Sequence, residues 1–172
     1  MKEIKTVSIV GMGALGLLYA DIIQTADSGT VQFVMDNDRY EKYKNQVFTI
    51  TGKEKAFRIS SVDAVTAPSD LVIVAVKTTG LESCIPAVKK ITGENTIVIS
   101  VLNGISSEEI LGQTIGMDKI IHCVAQGMDA MKFGNALNYT KKGELHIGLA
   151  ENEKQENLEA LKVFFAKVNN PY

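Results

Sequence analysis

Residues Gly11-Met12-Gly13-Ala14-Leu15-Gly16 place three glycines in a Gly-x-Gly-x-x-Gly spacing between two differently patterned segments. The apolar residues Val7, Ile9 and Val10 lead into it, and Leu17, Leu18, Ala20, Ile22 and Ile23 follow at helical spacing. A strand, a glycine turn and a helix in that order constrain the fold strongly, because together they build a pyrophosphate site. Gly11 serves the tight turn, Gly13 lets the backbone approach phosphate, and Gly16 lets the helix pack close to the strand. The first amides of the helix then face an anion, with the helix dipole in support. The whole stretch Gly11–Gly16 is therefore the candidate grip on a dinucleotide.

The rest of the chain alternates strand and helix patterns. Strand 4–10 and helix 14–26 are followed by strand Val31–Met35, and Asp36-Asn37-Asp38 caps a short helix through Lys44. Val47–Ile50 and Ala56–Ile59 alternate around Thr51-Gly52-Lys53 and predict a hairpin. Leu71–Val76 is apolar, β-branched and free of charge, as a strand buried on both faces must be. A helix over Gly80–Ile91 follows, then a strand over Thr96–Leu102 and a helix near Ser106–Leu111. Lys119–Ala125 reads as a further strand, Ala136–Tyr139 and Glu144–Ile147 as a second hairpin, and Glu153–Val168 as an amphipathic helix. This order predicts an α/β, Rossmann-type doubly wound fold: a mostly parallel sheet, helices on both faces, and added β-hairpins. Residues 1–168 are expected to form the dinucleotide-binding domain, with 169–172 starting a linker.

In such sheets ligands bind beyond the carboxyl ends of the strands, so three loops matter: those after Val10, Val76 and Leu102. Asp36 ends the second strand, where a carboxylate accepts hydrogen bonds from adenosine ribose hydroxyls and disfavours a 2′-phosphate; it equally suits a helix cap. Arg39, three residues on, suits pairing with that phosphate. Lys77 leaves the buried strand at the crevice edge, suited to a ribose or a carboxylate. Asn103, with a donor and an acceptor, repeats that placement one strand over, although Asn-Gly is also a common turn. Glu109 faces either the crevice or its own helix start. Tyr19 and Tyr139 have no evident partner and read as packing aromatics.

Composition narrows the partners. A net charge of −2 gives no electrostatic footprint for nucleic acid. No apolar run approaches the roughly 20 residues that span a bilayer, and the N-terminus carries no signal-peptide pattern. Cys84 and Cys123 lack C-x-x-C spacing and read as reduced, packed thiols of a cytoplasmic protein. His122 and His146 have no partner at metal-ligand spacing, so no metal is expected.

Taken together, the chain resembles the N-terminal domain of the ketopantoate reductase (2-dehydropantoate 2-reductase) family. The resemblance rests on Gly11–Gly16, Val76-Lys77-Thr78, Leu102-Asn103-Gly104-Ile105 with Glu109 downstream, and Gly143-Glu144-Leu145-His146-Ile147-Gly148. It implies NADPH-dependent reduction of 2-dehydropantoate to pantoate, a step toward pantothenate and coenzyme A. Lys77 and Asn103 match residues that line the cofactor and substrate site. The family commonly has an arginine where this chain has Asp36, so NAD is the alternative cofactor and Arg39 the substitute phosphate partner. The family's second, helical domain supplies the catalytic lysine, and the sequence ends about where its linker would begin. The expectation is a cofactor domain with little activity alone, and an uncovered apolar face that favours a homodimer. The alternatives are the same half of another 2-keto-acid reductase, or a stand-alone NAD(P)-sensing module.

Overall fold

A computed structural model describes residues 2–104, 106–150 and 154–172. Strand β1 (Thr6–Val10) enters helix α1 (Ala14–Ala26) through the glycine turn. Strand β2 (Thr30–Met35) follows, then helix α2 (Asn37–Tyr43), capped by Asp36, whose Oδ1 accepts the Arg39 amide at 2.8 Å. Each of these elements lies within a residue or two of its expected bounds.

The first hairpin differs from its expectation. Strand β3 (Phe48–Ile50) turns directly into β4 (Lys53–Lys55), with Ile50 opposite Lys53. Thr51 and Gly52 have φ of 47° and 81°, the mirror-image turn that folds a strand straight back. The second arm is thus Lys53-Glu54-Lys55, which has no apolar alternation to reveal it. Of the residues expected to form that arm, Arg58 and Ile59 belong instead to β5 (Arg58–Ser61), which pairs parallel with β2.

Strand β6 (Leu71–Val74) is buried throughout, and helix α3 (Leu81–Ile91) follows with Pro86 inside it. Strand β7 (Ile97–Ser100) and helix α4 (Ser107–Ile115) complete the parallel unit. The sheet order is β5-β2-β1-β6-β7, with all four pairings parallel. The chain crosses from the β5 edge to the far side of β1, so the order reverses between β1 and β6. That reversal opens a crevice at their carboxyl ends. Side chains alternate between two cores. Ile9, Phe33, Ile73 and Ile99 pack with α1, and Val10, Val34, Val72, Val74 and Val98 pack with α3 and α4.

Beyond α4, strand β8 (His122–Gln126) pairs antiparallel with a later strand, and Ile120 makes a single parallel bridge to Val98. Strand β9 (Met131–Phe133) turns through Gly134-Asn135 into β10 (Ala136–Asn138), which also pairs with β3. Strand β11 (Glu144–Gly148) is the partner of β8. The expected second hairpin is therefore corrected: its two arms lie in different sheets. Gly-Asn between short strands was the available turn signal, and three-residue β9 was too short to show a period. Helix α5 (Gln155–Lys167) lays Leu158, Leu161, Phe164 and Phe165 on the α1 side of the core. The expected start of this helix at Glu153 lies outside the described residues, as does Ile105 of the Leu102–Ile105 motif.

Tyr139 has the partner that its sequence context did not reveal. Its hydroxyl donates to Asp21 at 2.5 Å, and Lys55 pairs with the same carboxylate. Buried Asp21 thereby fastens the four-stranded sheet β4-β3-β10-β9 to α1.

Candidate active site

The crevice between the β1 and β6 ends has a volume of about 440 Å³. It is lined by Val10 through Gly13, from the end of β1, and by Ala75 through Lys77, from the end of β6. Gly11 has φ of +110°, and a Cβ there would lie 2.5 Å from the Ala75 carbonyl oxygen. A Cβ on Gly16 would lie 2.0 Å from the Gly11 oxygen. Both positions therefore require glycine for the fold itself. Gly13 differs. Its backbone is extended, and the nearest atom to an added Cβ is the Ala75 oxygen, at 3.8 Å. Packing leaves room for a side chain at Gly13, so what its bareness provides is open space in front of the α1 amides. As the N-cap of α1, Gly13 has no side chain with which to satisfy those amides. A phosphate fits this cradle on geometry and on charge.

At one end of the crevice stand Asp36, Arg39 and Tyr43. Asp36 both caps α2 and approaches Arg39, with Nε 3.6 Å from Oδ2. Both side chains are about half exposed, so the carboxylate remains open to a ribose hydroxyl. The opposite wall carries Lys77, Thr79, Ser83, Cys84 and the ring of Pro86. Lys77 is exposed at the entry to a single helical turn, Thr78–Gly80. The Cys84 thiol donates to the Leu81 carbonyl, and burial pushes it up to about 11. Burial likewise pushes Cys123 up to about 12. Both thiols are free and protonated at neutral pH, packing groups and not nucleophiles.

The structure does not gather every expected residue into this crevice. Ala14, Leu15 and Gly16 start α1 behind the turn, outside the lining. Asn103 is exposed on the loop after β7, also outside it, beside Gly104 with φ of +106°. Glu109 is exposed, and its neighbour Glu108 is buried to 4%. Sequence does not single out Glu108 from Glu109, because a helix-start glutamate is ordinarily solvated. Among the described residues no cluster of His, Cys, Asp or Glu forms a metal site, and no helix is long and apolar enough to cross a membrane.

A Rossmann-like parallel sheet with a glycine-lined crevice at its switch point defines a class, the doubly wound α/β domains, whose ligands bind where the strand order reverses. The particular family follows from the sequence: residues 7–152 match the family model described as ketopantoate reductase PanE/ApbA, and the chain belongs to that family. No curated protein matches. Among solved structures, the 2-dehydropantoate 2-reductase of Geobacter metallireducens GS-15 is 22% identical with a TM-score of 0.77, covering 96% of this chain and 56% of that one. A D-mandelate dehydrogenase in complex with NADH is 19% identical with a TM-score of 0.81, covering 97% and 55%. The dimeric ketopantoate reductase of Staphylococcus aureus is 21% identical with a TM-score of 0.68, covering 95% and 51%. The chain thus spans little more than half the length of each.

Proposed function

We propose that this chain binds a nicotinamide dinucleotide and forms the cofactor half of an oxidoreductase that reduces a 2-keto acid to a 2-hydroxy acid. Family membership supports 2-dehydropantoate as the substrate and pantoate as the product. The observation that carries the cofactor reading is Gly13, bare where the fold itself allows a side chain. When bound, the nicotinamide supplies hydride to the keto carbon. The α1 amides hold the pyrophosphate, Asp36 accepts from the adenosine ribose, and Lys77 and Asn103 orient the nicotinamide ribose and the substrate.

Asp36 supports NADH over NADPH, the cofactor that the resemblance implies. A 2′-phosphate at the crevice rim meets the carboxylate, and Arg39 is already drawn to that carboxylate. Calorimetric titration with both nucleotides tests this, with NADH expected to bind at least about tenfold tighter. A preference for NADPH overturns the selectivity, and no binding of either overturns the whole reading. A second substrate reading, another 2-keto acid, has the support of the D-mandelate dehydrogenase structures, one of which is a ternary complex with NADH and anilino(oxo)acetate.

The 172 residues alone are proposed to turn over little substrate, because the resemblance assigns the proton donor to the helical domain. Robust reduction of 2-dehydropantoate by the isolated chain would contradict this. The exposed Val124, Met131 and Phe133 support self-association, which sedimentation at rising concentration would reveal. The two protonated, buried thiols suit a reducing cytoplasm.

A further inference from the structure

Strand β7 leaves the parallel sheet with its last pairing at Val101, whose amide donates to the Val74 carbonyl at 3.0 Å. The chain then enters the loop that carries Asn103, a few residues before α4 begins. On that loop Asn103 and Gly104 are exposed, and Gly104 has positive φ. Beneath it runs a chain of hydrogen bonds. The Leu102 amide donates to Ser100 Oγ at 3.4 Å, Ser100 Oγ donates to Ser107 Oγ at 2.8 Å, and Ser107 Oγ donates to Glu108 Oε2 at 2.7 Å. Ser100, Ser107 and Glu108 are exposed by only 1%, 4% and 4%.

Every donor in this chain points toward the carboxylate, so each bond polarises the next. Burying a carboxylate is costly unless it is well bonded, and a leucine would fill the same space more cheaply. The first turn of α4 offsets part of that cost through its amides. The charge also reaches β8: after burial, Glu108 is the second cause that raises the Cys123 thiol. The carboxylate thus ends a hydrogen-bonded chain that joins the end of β7 to the start of α4, on either side of the Asn103 loop.

We infer that Glu108 is a positioning residue, acting through Ser107 and Ser100 to hold the loop that presents Asn103 to the nicotinamide end of the cofactor. This rests on the nucleotide reading above and adds to it a residue that touches no ligand. The inference makes a directional claim. Loosening the chain weakens contacts at the nicotinamide end and spares those at the adenosine end, which depend on the glycine turn and Asp36.

The test compares NADH with ADP, which lacks the nicotinamide riboside, in calorimetric titrations of the 172-residue chain. Ser100→Ala removes the first of the two hydroxyls with little change of volume, and Glu108→Gln keeps the size while removing the charge. Both variants are expected to lose about tenfold in NADH affinity, the equivalent of one buried hydrogen bond, while ADP affinity stays within about twofold. Amide exchange at Leu102–Gly104 is expected to speed up in both, with Gly11–Gly13 unchanged. A parallel loss of NADH and ADP binding would show a merely structural role and overturn the inference. Unchanged affinity for both ligands in both variants would overturn it as well. A wild-type chain that binds neither ligand overturns the nucleotide reading and this inference with it. Should Glu108→Gln fail to fold, Ser100→Ala alone decides.

Discussion

The two ends of the parallel sheet are built by opposite rules. At the amino end, side chains satisfy one another. Asp70 Oδ2 accepts the amides of Lys5 and Thr6 at 3.0 and 2.9 Å and the Thr6 hydroxyl at 2.9 Å. A polar row crosses the strands beside it: Ser69 to Ser8 at 2.7 Å, Gln32 to Ser8 at 3.2 Å, and Ser60 to Gln32 at 2.9 Å. At the carboxyl end, glycines replace side chains, and α1 begins with its amides uncapped. One end is closed by internal hydrogen bonds, and at the other the first amides of α1 have no side-chain cap. The same strands supply both ends, so mutations at the two ends should separate stability from binding.

Gly16→Ala should have the largest effect. The added Cβ falls 2.0 Å from the Gly11 oxygen, which is main chain and cannot rotate away. The helix and the turn would have to move apart, at a cost of about 3 kcal/mol or more. A lowered urea midpoint is the expected result, with binding lost as a consequence. A midpoint equal to wild type would show that α1 and the turn are not locked together as described.

Gly13→Ala sharpens the contrast. The backbone there, φ −83° and ψ −167°, suits alanine, and the nearest atom is 3.8 Å from the new Cβ. Stability should change by less than about 1 kcal/mol, the usual cost of alanine at an N-cap. Nucleotide affinity should fall by about a hundredfold, because the methyl group occupies the phosphate position. Wild-type affinity in this variant would remove the argument that Gly13 is kept bare for a ligand.

These two glycines also show how far the sequence could be read. The spacing Gly11–Gly16 placed the turn, and the pattern of Leu71–Val76 placed the central strand, because both signals are local and strong. The partners of short strands were hidden. Lys53-Glu54-Lys55 has no apolar alternation and Met131-Lys132-Phe133 is too short to establish a period, so the turns at Thr51-Gly52 and Gly134-Asn135 are legible in the sequence and the strands they join are not. At the site, Asp36 suits two uses by its sequence position, cap and rim carboxylate; the structure shows the first and puts Asp36 in the crevice lining. The burial of Glu108 depends on β8 arriving beside α4, which no spacing within residues 100–108 encodes.

At the closed end, Asp70→Ala should be milder than Gly16→Ala. It leaves two amides and one hydroxyl without their acceptor, but these groups are near solvent and water replaces part of the loss. A destabilisation of about 1–2 kcal/mol is expected from hydrogen bonds to a charged group. NADH affinity measured by calorimetry should be unchanged. Loss of affinity without loss of stability would mean that the two ends are coupled through β1 or β6.

The smallest effect is the acid dependence of that same clasp. Burial pulls the Asp70 carboxyl upward, but the Lys5 and Thr6 amides and the Thr6 hydroxyl outweigh it and hold it below its ordinary value of 3.8. A carboxyl depressed in the folded state stabilises the fold at every pH above its unfolded value. That contribution fades as pH falls through the folded value, where both states become protonated. The stability difference between wild type and Asp70→Ala should therefore be constant from pH 7 to about 5 and shrink below about pH 4. Asp129, held at about 2 by the Thr140 hydroxyl and then by the Lys141 and Thr140 amides, adds an acid limb of its own to both proteins. It cancels in the difference, so urea midpoints of the two proteins across this range isolate Asp70. A difference that grew toward low pH would mean that the clasp is strongest when Asp70 is protonated, and the closed end would then be held by a neutral hydrogen bond instead of a charge.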